Sequence, residues 1–191
     1  MITGFDPKTG NELWRSESWN REKIPHWRLV GSPVAGDGVV LQPEPKGNPL
    51  IAYEAGASGS PKVLWTGDKI DKDLTSDVAT PLFYEGHFIV QYGDKKQKVI
   101  TAIEPRTGKV LWKTPIDTGR YIMRSSPTGG DGKVYTMDHH GTVYVLDAKT
   151  GKLLNKAEFG EQFDDNTMSS IALSHGEIFI RTNKALFCIG K

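Results

Sequence analysis

Apolar residues in this chain come in short runs of three to six, each bounded by Gly, Pro, Asp or Ser. Runs of that length, rich in Val, Ile, Tyr and Phe, are strand signals. One unit recurs four times: Ser32-Pro-Val-Ala-Gly-Asp-Gly-Val-Val-Leu41, Thr80-Pro-Leu-Phe-Tyr-Glu-Gly-His-Phe-Ile-Val90, Ser126-Pro-Thr-Gly-Gly-Asp-Gly-Lys-Val-Tyr135 and Ser170-Ile-Ala-Leu-Ser-His-Gly-Glu-Ile-Phe-Ile180. Each predicts a strand A opening at the Ser/Thr-Pro, a Gly turn, and a strand B: Val39–Leu41, His87–Tyr92, Lys133–Met137 and Glu177–Arg181. A strand C follows at Leu50–Tyr53, Val99–Ile103, Thr142–Leu146 and Ala185–Ile189. A strand D follows at Glu12–Trp14, Val63–Trp65 and Val110–Trp112, with Asn155 in the last copy.

Strands C and D meet at a second repeat, Asp-Pro-Lys-Thr-Gly at 6–10, Glu-Pro-Arg-Thr-Gly at 104–108 and Asp-Ala-Lys-Thr-Gly at 147–151. Its Asp or Glu accepts from backbone N–H groups just ahead, Pro supplies a fixed φ, and Gly10, Gly108 and Gly151 supply the left-handed residue of a bulged hairpin. The strand A anchors at 33, 81, 127 and 171 are spaced by 48, 46 and 44 residues. Four strands repeated at that spacing predict an all-β chain, a β-propeller of about four antiparallel four-stranded blades.

The whole chain, 1–191, reads as one propeller domain or the C-terminal part of one. Its repeats lie at about 1–20, 28–67, 76–115, 122–158 and 166–191. It opens and closes inside a strand C, leaving three complete and two partial blades. Either Glu12–Trp14 completes the sheet of residues 170–190, closing four blades, or two chains pair into an eight-bladed ring. No helical periodicity is long enough to read as a helix, and the charged stretch Asp68–Asp77 is expected to link two blades.

The 24 basic and 23 acidic residues leave a net charge of +1, which gives no electrostatic reason to expect nucleic acid. No apolar run reaches the roughly 20 residues of a membrane helix, and no signal peptide is legible at the N-terminus. The single cysteine, Cys188, excludes an internal disulfide and a multi-cysteine metal site. Placed between Phe187 and Ile189, it is expected to be buried.

The repeat copies ending in Leu-Trp resemble those of quinoprotein-type (PQQ-like) β-propellers, over residues 2–190. In that family the tryptophans pack between blades, which assigns Trp14, Trp65 and Trp112 to structure. The family holds PQQ-dependent alcohol and glucose dehydrogenases and also non-enzymatic assembly proteins. The resemblance implies export to the periplasm or beyond. It implies the quinone and calcium only if the chain is a dehydrogenase; the vicinal disulfide frequent in that class needs two cysteines, and the carboxylate set for calcium is not legible. A non-catalytic binding or assembly scaffold, with no cofactor, is therefore the leading expectation.

No catalytic constellation and no metal set stands out. His139-His140 reads as an exposed turn, Asp164-Asp165 as a solvated loop, and Gly36–Gly38 and Gly129–Gly132 as A–B turns. The segments entering each strand A carry more interest, because they open at one mouth of the axial channel. They offer His26, Arg28, Asp77 and Arg124, which would suit a carboxylate-bearing or flat ligand. The same residues read more readily as ion-pair ties between blades, which propellers need.

Overall fold

The computed structural model describes residues 2–17, 20, 24–25, 29–44, 48–56, 59–95, 97–160 and 166–190. Its strands are β1 (Thr3–Phe5), β2 (Glu12–Arg15), β3 (Val34–Gly36), β4 (Val39–Gln42), β5 (Ile51–Glu54), β6 (Val63–Thr66), β7 (Leu82–Tyr84), β8 (His87–Gly93), β9 (Lys98–Ile103), β10 (Val110–Pro115), β11 (Thr128–Gly130), β12 (Lys133–Met137), β13 (Thr142–Asp147), β14 (Leu153–Glu158), β15 (Ala172–Ser174), β16 (Glu177–Arg181) and β17 (Leu186–Ile189). They form five antiparallel sheets in chain order: β1–β2, β3–β6, β7–β10, β11–β14 and β15–β17. These are blades 1 to 5. The first strands of blades 2 to 5 touch one another in sequence, so they form the inner layer and the D strands the outer rim.

Local chemistry explains the strand joins. Each A–B hairpin turns on two residues with positive φ, as at Asp37 (47°) and Gly38 (68°), the pairing that a two-residue turn of matching twist demands. Each strand A opens one residue after the Pro position rather than at it, in keeping with a ring nitrogen that cannot donate to the ladder. At the C–D turns Gly10, Gly108 and Gly151 donate back to the carbonyls of Asp6, Glu104 and Asp147 at 2.8–2.9 Å. The register of every C–D pair slips by one residue beside that turn.

The buried cores lie between blades rather than within them. One cluster joins Ile89, Ile100 and Trp112 of blade 3 to Val134, Tyr144 and Leu146 of blade 4. A second joins blades 2 and 3, and a third joins blades 4 and 5. The tryptophans of strand D are the cross-links. The Trp65 indole donates to the Pro105 carbonyl of the next blade at 2.7 Å, and the Trp112 indole to that of Ala148 at 3.0 Å.

Two expectations need correction. Glu12–Trp14 does not complete the sheet of residues 170–190. β2 pairs with β1, and Ser16 N–H donates to the Ile2 carbonyl at 2.9 Å to extend that hairpin. A tight local hairpin loses far less chain entropy than closure across the molecule. Cys188 is exposed, because β17 is the outermost strand of a three-stranded sheet. The stretch after β6 links blades 2 and 3 as expected, with one turn of 3-10 helix at Gly67–Lys69.

Candidate functional site

Two of the four mouth residues come together. Asp77, from the segment entering blade 3, and Arg124, from the segment entering blade 4, line one cleft of about 100 Å³. Asp94 and Lys95, from the B–C turn of blade 3, complete its charged rim, and Val78, Ala79, Ile122 and Met123 give it apolar walls. His26 and Arg28 lie outside the described residues, as do Asp164 and Asp165.

The back wall is rigid. Gln91 is buried and fully engaged: its amide donates to the Ser125 carbonyl at 2.8 Å, and its carbonyl accepts from the Thr136 hydroxyl. Ser125 in turn donates to the Met137 carbonyl at 2.6 Å. Met123 N–H donates to the Gly93 carbonyl at 2.9 Å, so the two segments that carry the charges are laced together. Asp94 accepts from the Tyr92 hydroxyl at 2.9 Å and from Gln97 N–H at 2.8 Å. Burial, then the Asp94 carboxylate, pushes the Tyr92 phenol up to about 12. Sequence reading missed Gln91; an amide directly after the apolar run Phe88–Val90 of strand B is the signal that could have found it.

The His139-His140 turn is not the exposed turn that its sequence predicts. His139 is 5 % exposed. Its N–H donates to the Ile122 carbonyl at 2.9 Å and its carbonyl accepts from Thr167 N–H at 2.8 Å, so the turn is clamped between the segments entering blades 4 and 5. His140 stacks on Tyr121 with ring centroids 4.6 Å apart, and the Arg120 guanidinium lies 4.9 Å from the Tyr121 centroid. Among the described residues, His139 Nε2 has no hydrogen-bond partner. Burial, then the Arg124 guanidinium, holds its pKa below the usual imidazole value.

That has a measurable consequence. A base whose folded pKa is lowered stabilises the fold fully above its unfolded pKa of about 6.5, and that stability is lost as pH falls from there toward the folded value. Between pH 7 and 5 the wild-type urea midpoint should therefore fall relative to that of His139→Gln. A difference between the two proteins that does not change with pH would remove His139 as the cause.

The cleft offers opposed charges on a stiff floor and no nucleophile paired with a base. No three His, Cys, Asp or Glu side chains among the described residues gather as a cation site. Calcium beside a quinone would draw on such a gathering of carboxylates together with amide and backbone carbonyl oxygens. No helix among them is long and apolar enough to cross a membrane.

Comparison with known proteins places the chain. A family model described as outer membrane protein assembly factor BamB matches residues 1–191. The chain belongs to the BamB family. The assembly factor BamB of Nitrosomonas eutropha is 30 % identical over 156 residues, 80 % of this chain and 33 % of that protein. A tetrathionate hydrolase of Acidithiobacillus ferrooxidans is 28 % identical over 151 residues, 78 % of this chain and 28 % of that one. The chain thus spans about a third of the length of these relatives. The crystal structure of the quinohemoprotein alcohol dehydrogenase of Comamonas testosteroni superposes with a TM-score of 0.74 at 17 % identity, over 97 % of this chain and 38 % of that one. The likeness shows the β-propeller fold. Proteins similar to this chain thus include an assembly factor and enzymes, so the chemistry has to be argued from the site.

Proposed function

We propose that this chain is a non-catalytic propeller module of an exported protein, and that it holds a protein partner at the mouth between blades 3 and 4. One observation carries the reading: Asp77 and Arg124, 47 positions apart in sequence, open on the same cleft with Asp94 and Lys95. A surface with both signs of charge above apolar walls suits a polypeptide segment that presents its own acid and base, since charge-assisted hydrogen bonds set register and partner choice. The name of the Nitrosomonas relative, an outer membrane protein assembly factor, supports a partner within outer-membrane assembly. A free carboxylate-bearing small molecule is the lesser occupant of the same cleft. A second copy of the chain, completing a ring of eight blades, belongs to the same proposal and is read by light scattering.

The immobilised chain should retain the outer-membrane assembly complex from detergent-solubilised envelopes. Arg124 is exposed, so Arg124→Ala should fold normally and lower retention about tenfold, the loss of one charge-assisted contact at an interface centre. Equal retention by wild type and Arg124→Ala would place the interface elsewhere. The quinoprotein likeness in fold favours a second reading, a quinone-dependent dehydrogenase. Failure to retain any partner, together with a calcium-dependent absorbance change on adding the quinone, would put that reading first.

A further inference from the structure

The outer strand of blade 4 departs from its counterparts. In β2, β6 and β10 a tryptophan is 8–9 % exposed and docked, and a basic side chain in or beside the strand is paired. Arg15 pairs with Glu12, Lys62 with Glu54 at 3.3 Å, and Lys113 with Asp71 and Asp73 at 2.8 and 2.7 Å. In β14 the tryptophan position is Asn155, which is exposed. Lys149, Lys152 and Lys156 are exposed and form no ion pair among the described residues; the Lys156 ammonium lies 5.6 Å from the Tyr144 ring centroid. Leu153 and Leu154 are 43 % and 47 % exposed, much like Leu13 of β2, Val63 of β6 and Leu111 of β10, so the departure of β14 lies in its missing tryptophan and its lysines.

Register places these groups. Leu153 lies opposite Leu146 and Lys156 opposite Tyr144. Leu146 and Tyr144 are two residues apart on β13, so Leu153 and Lys156 share a face of the sheet. β14 is also last in its sheet, so one edge of a six-residue strand is left unpaired among the described residues. An open strand edge of that length is a template for strand addition. The Lys side chains select against a second basic strand, and the leucines between them call for an apolar centre.

We propose that the free edge of β14 takes an extended segment of a partner protein, apolar at its centre and carrying a carboxylate toward each end. The apolar centre covers Leu153 and Leu154. One carboxylate meets Lys156, and the other meets Lys152 and Lys149 at the turn. This surface is on the rim and goes beyond the mouth interface, with which it shares no residue.

The test uses a fluorescein-labelled peptide, Glu-Thr-Val-Val-Thr-Glu, and its twin with Lys at both ends. Fluorescence anisotropy at low salt should show binding of the acidic peptide alone. The paired variant Lys152→Glu and Lys156→Glu should weaken it about tenfold, the worth of two cross-strand charge pairs. Hydrogen exchange should slow at the β14 amides on adding peptide. Leu154→Thr, which removes no buried group, should also weaken binding. The proposal is overturned if neither peptide binds, if the basic peptide binds as well as the acidic one, if the charge-reversed protein keeps full affinity with an unchanged circular dichroism spectrum, or if protection arises elsewhere than β14.

Discussion

Replacing Trp112 by alanine is expected to lower the unfolding free energy by about 3–5 kcal/mol, the usual range for deleting a buried large aromatic. The side chain is 8 % exposed and sits in the cluster that joins blades 3 and 4. Its indole N–H donates to the Ala148 carbonyl at 3.0 Å. Its ring also covers Gly151, so truncation leaves a void against a turn whose positive φ of 70° limits its collapse. The loss is a large share of the stability of an ordinary domain, about 5–15 kcal/mol. Urea unfolding followed by circular dichroism measures it. Trp112→Phe keeps most of the ring volume and forfeits the hydrogen bond, so it should cost less than half as much. A cost under about 1 kcal/mol for the alanine variant would mean that the blades are not joined through this residue.

Replacing Glu44 by glutamine is expected to stabilise the protein at pH 8 by about 2 kcal/mol and to change little at pH 4.5. Glu44 is 4 % exposed. Its Oε1 accepts from the Gln42 amide at 2.6 Å, while among the described residues its Oε2 and Gln42 Oε1 have no partner. Burial pushes its carboxyl up to about 7. An acid with a raised folded pKa favours the neutral form, so its penalty is absent below the unfolded pKa of about 4.3. The penalty grows as pH rises, because the unfolded chain releases the proton first, and levels off above the folded pKa. A tenfold difference in acidity between the folded and unfolded chains corresponds to about 1.4 kcal/mol; partial screening of the charge reduces the total to about 2 kcal/mol. The sign is opposite to that of His139, whose effect falls in part of the same window. Single variants at each site therefore separate the two slopes. If Glu44→Gln is no more stable than wild type at pH 8, the carboxyl is not strained by its burial.

The blades were legible in the residues themselves because every signal for them is local. The pair Asp37-Gly38 can take positive φ without the rest of the protein, and so can Gly10, Gly108 and Gly151. Alternation and turn spacing then place strands to within a residue or two, as at Val110 and Thr142. Repetition turns weak local signals into a firm one, and the family follows from it. That Asp77 and Arg124 line one cleft is in keeping with the repeat, which sets the segments entering successive blades side by side.

What local chemistry does not contain is which neighbour covers a residue. Cys188 reads as core from Phe187 and Ile189 but is exposed, since its burial depends on a strand beyond β17 rather than on its own. His139 reads as a turn residue and is buried, since Ile122 and Thr167 close over it from segments far away in sequence. Glu44 follows an apolar strand as a solvated end would, and its burial was invisible. The pairing of β2 with β1, rather than with the last blade, was decided by the lower entropy of a local hairpin. The sequence alone therefore determined the blade, its turns and its tryptophan joints, because each depends on a few neighbouring residues. Only the tertiary structure decided which polar groups are shut in and which edges stay open, because those are properties of the contact between blades.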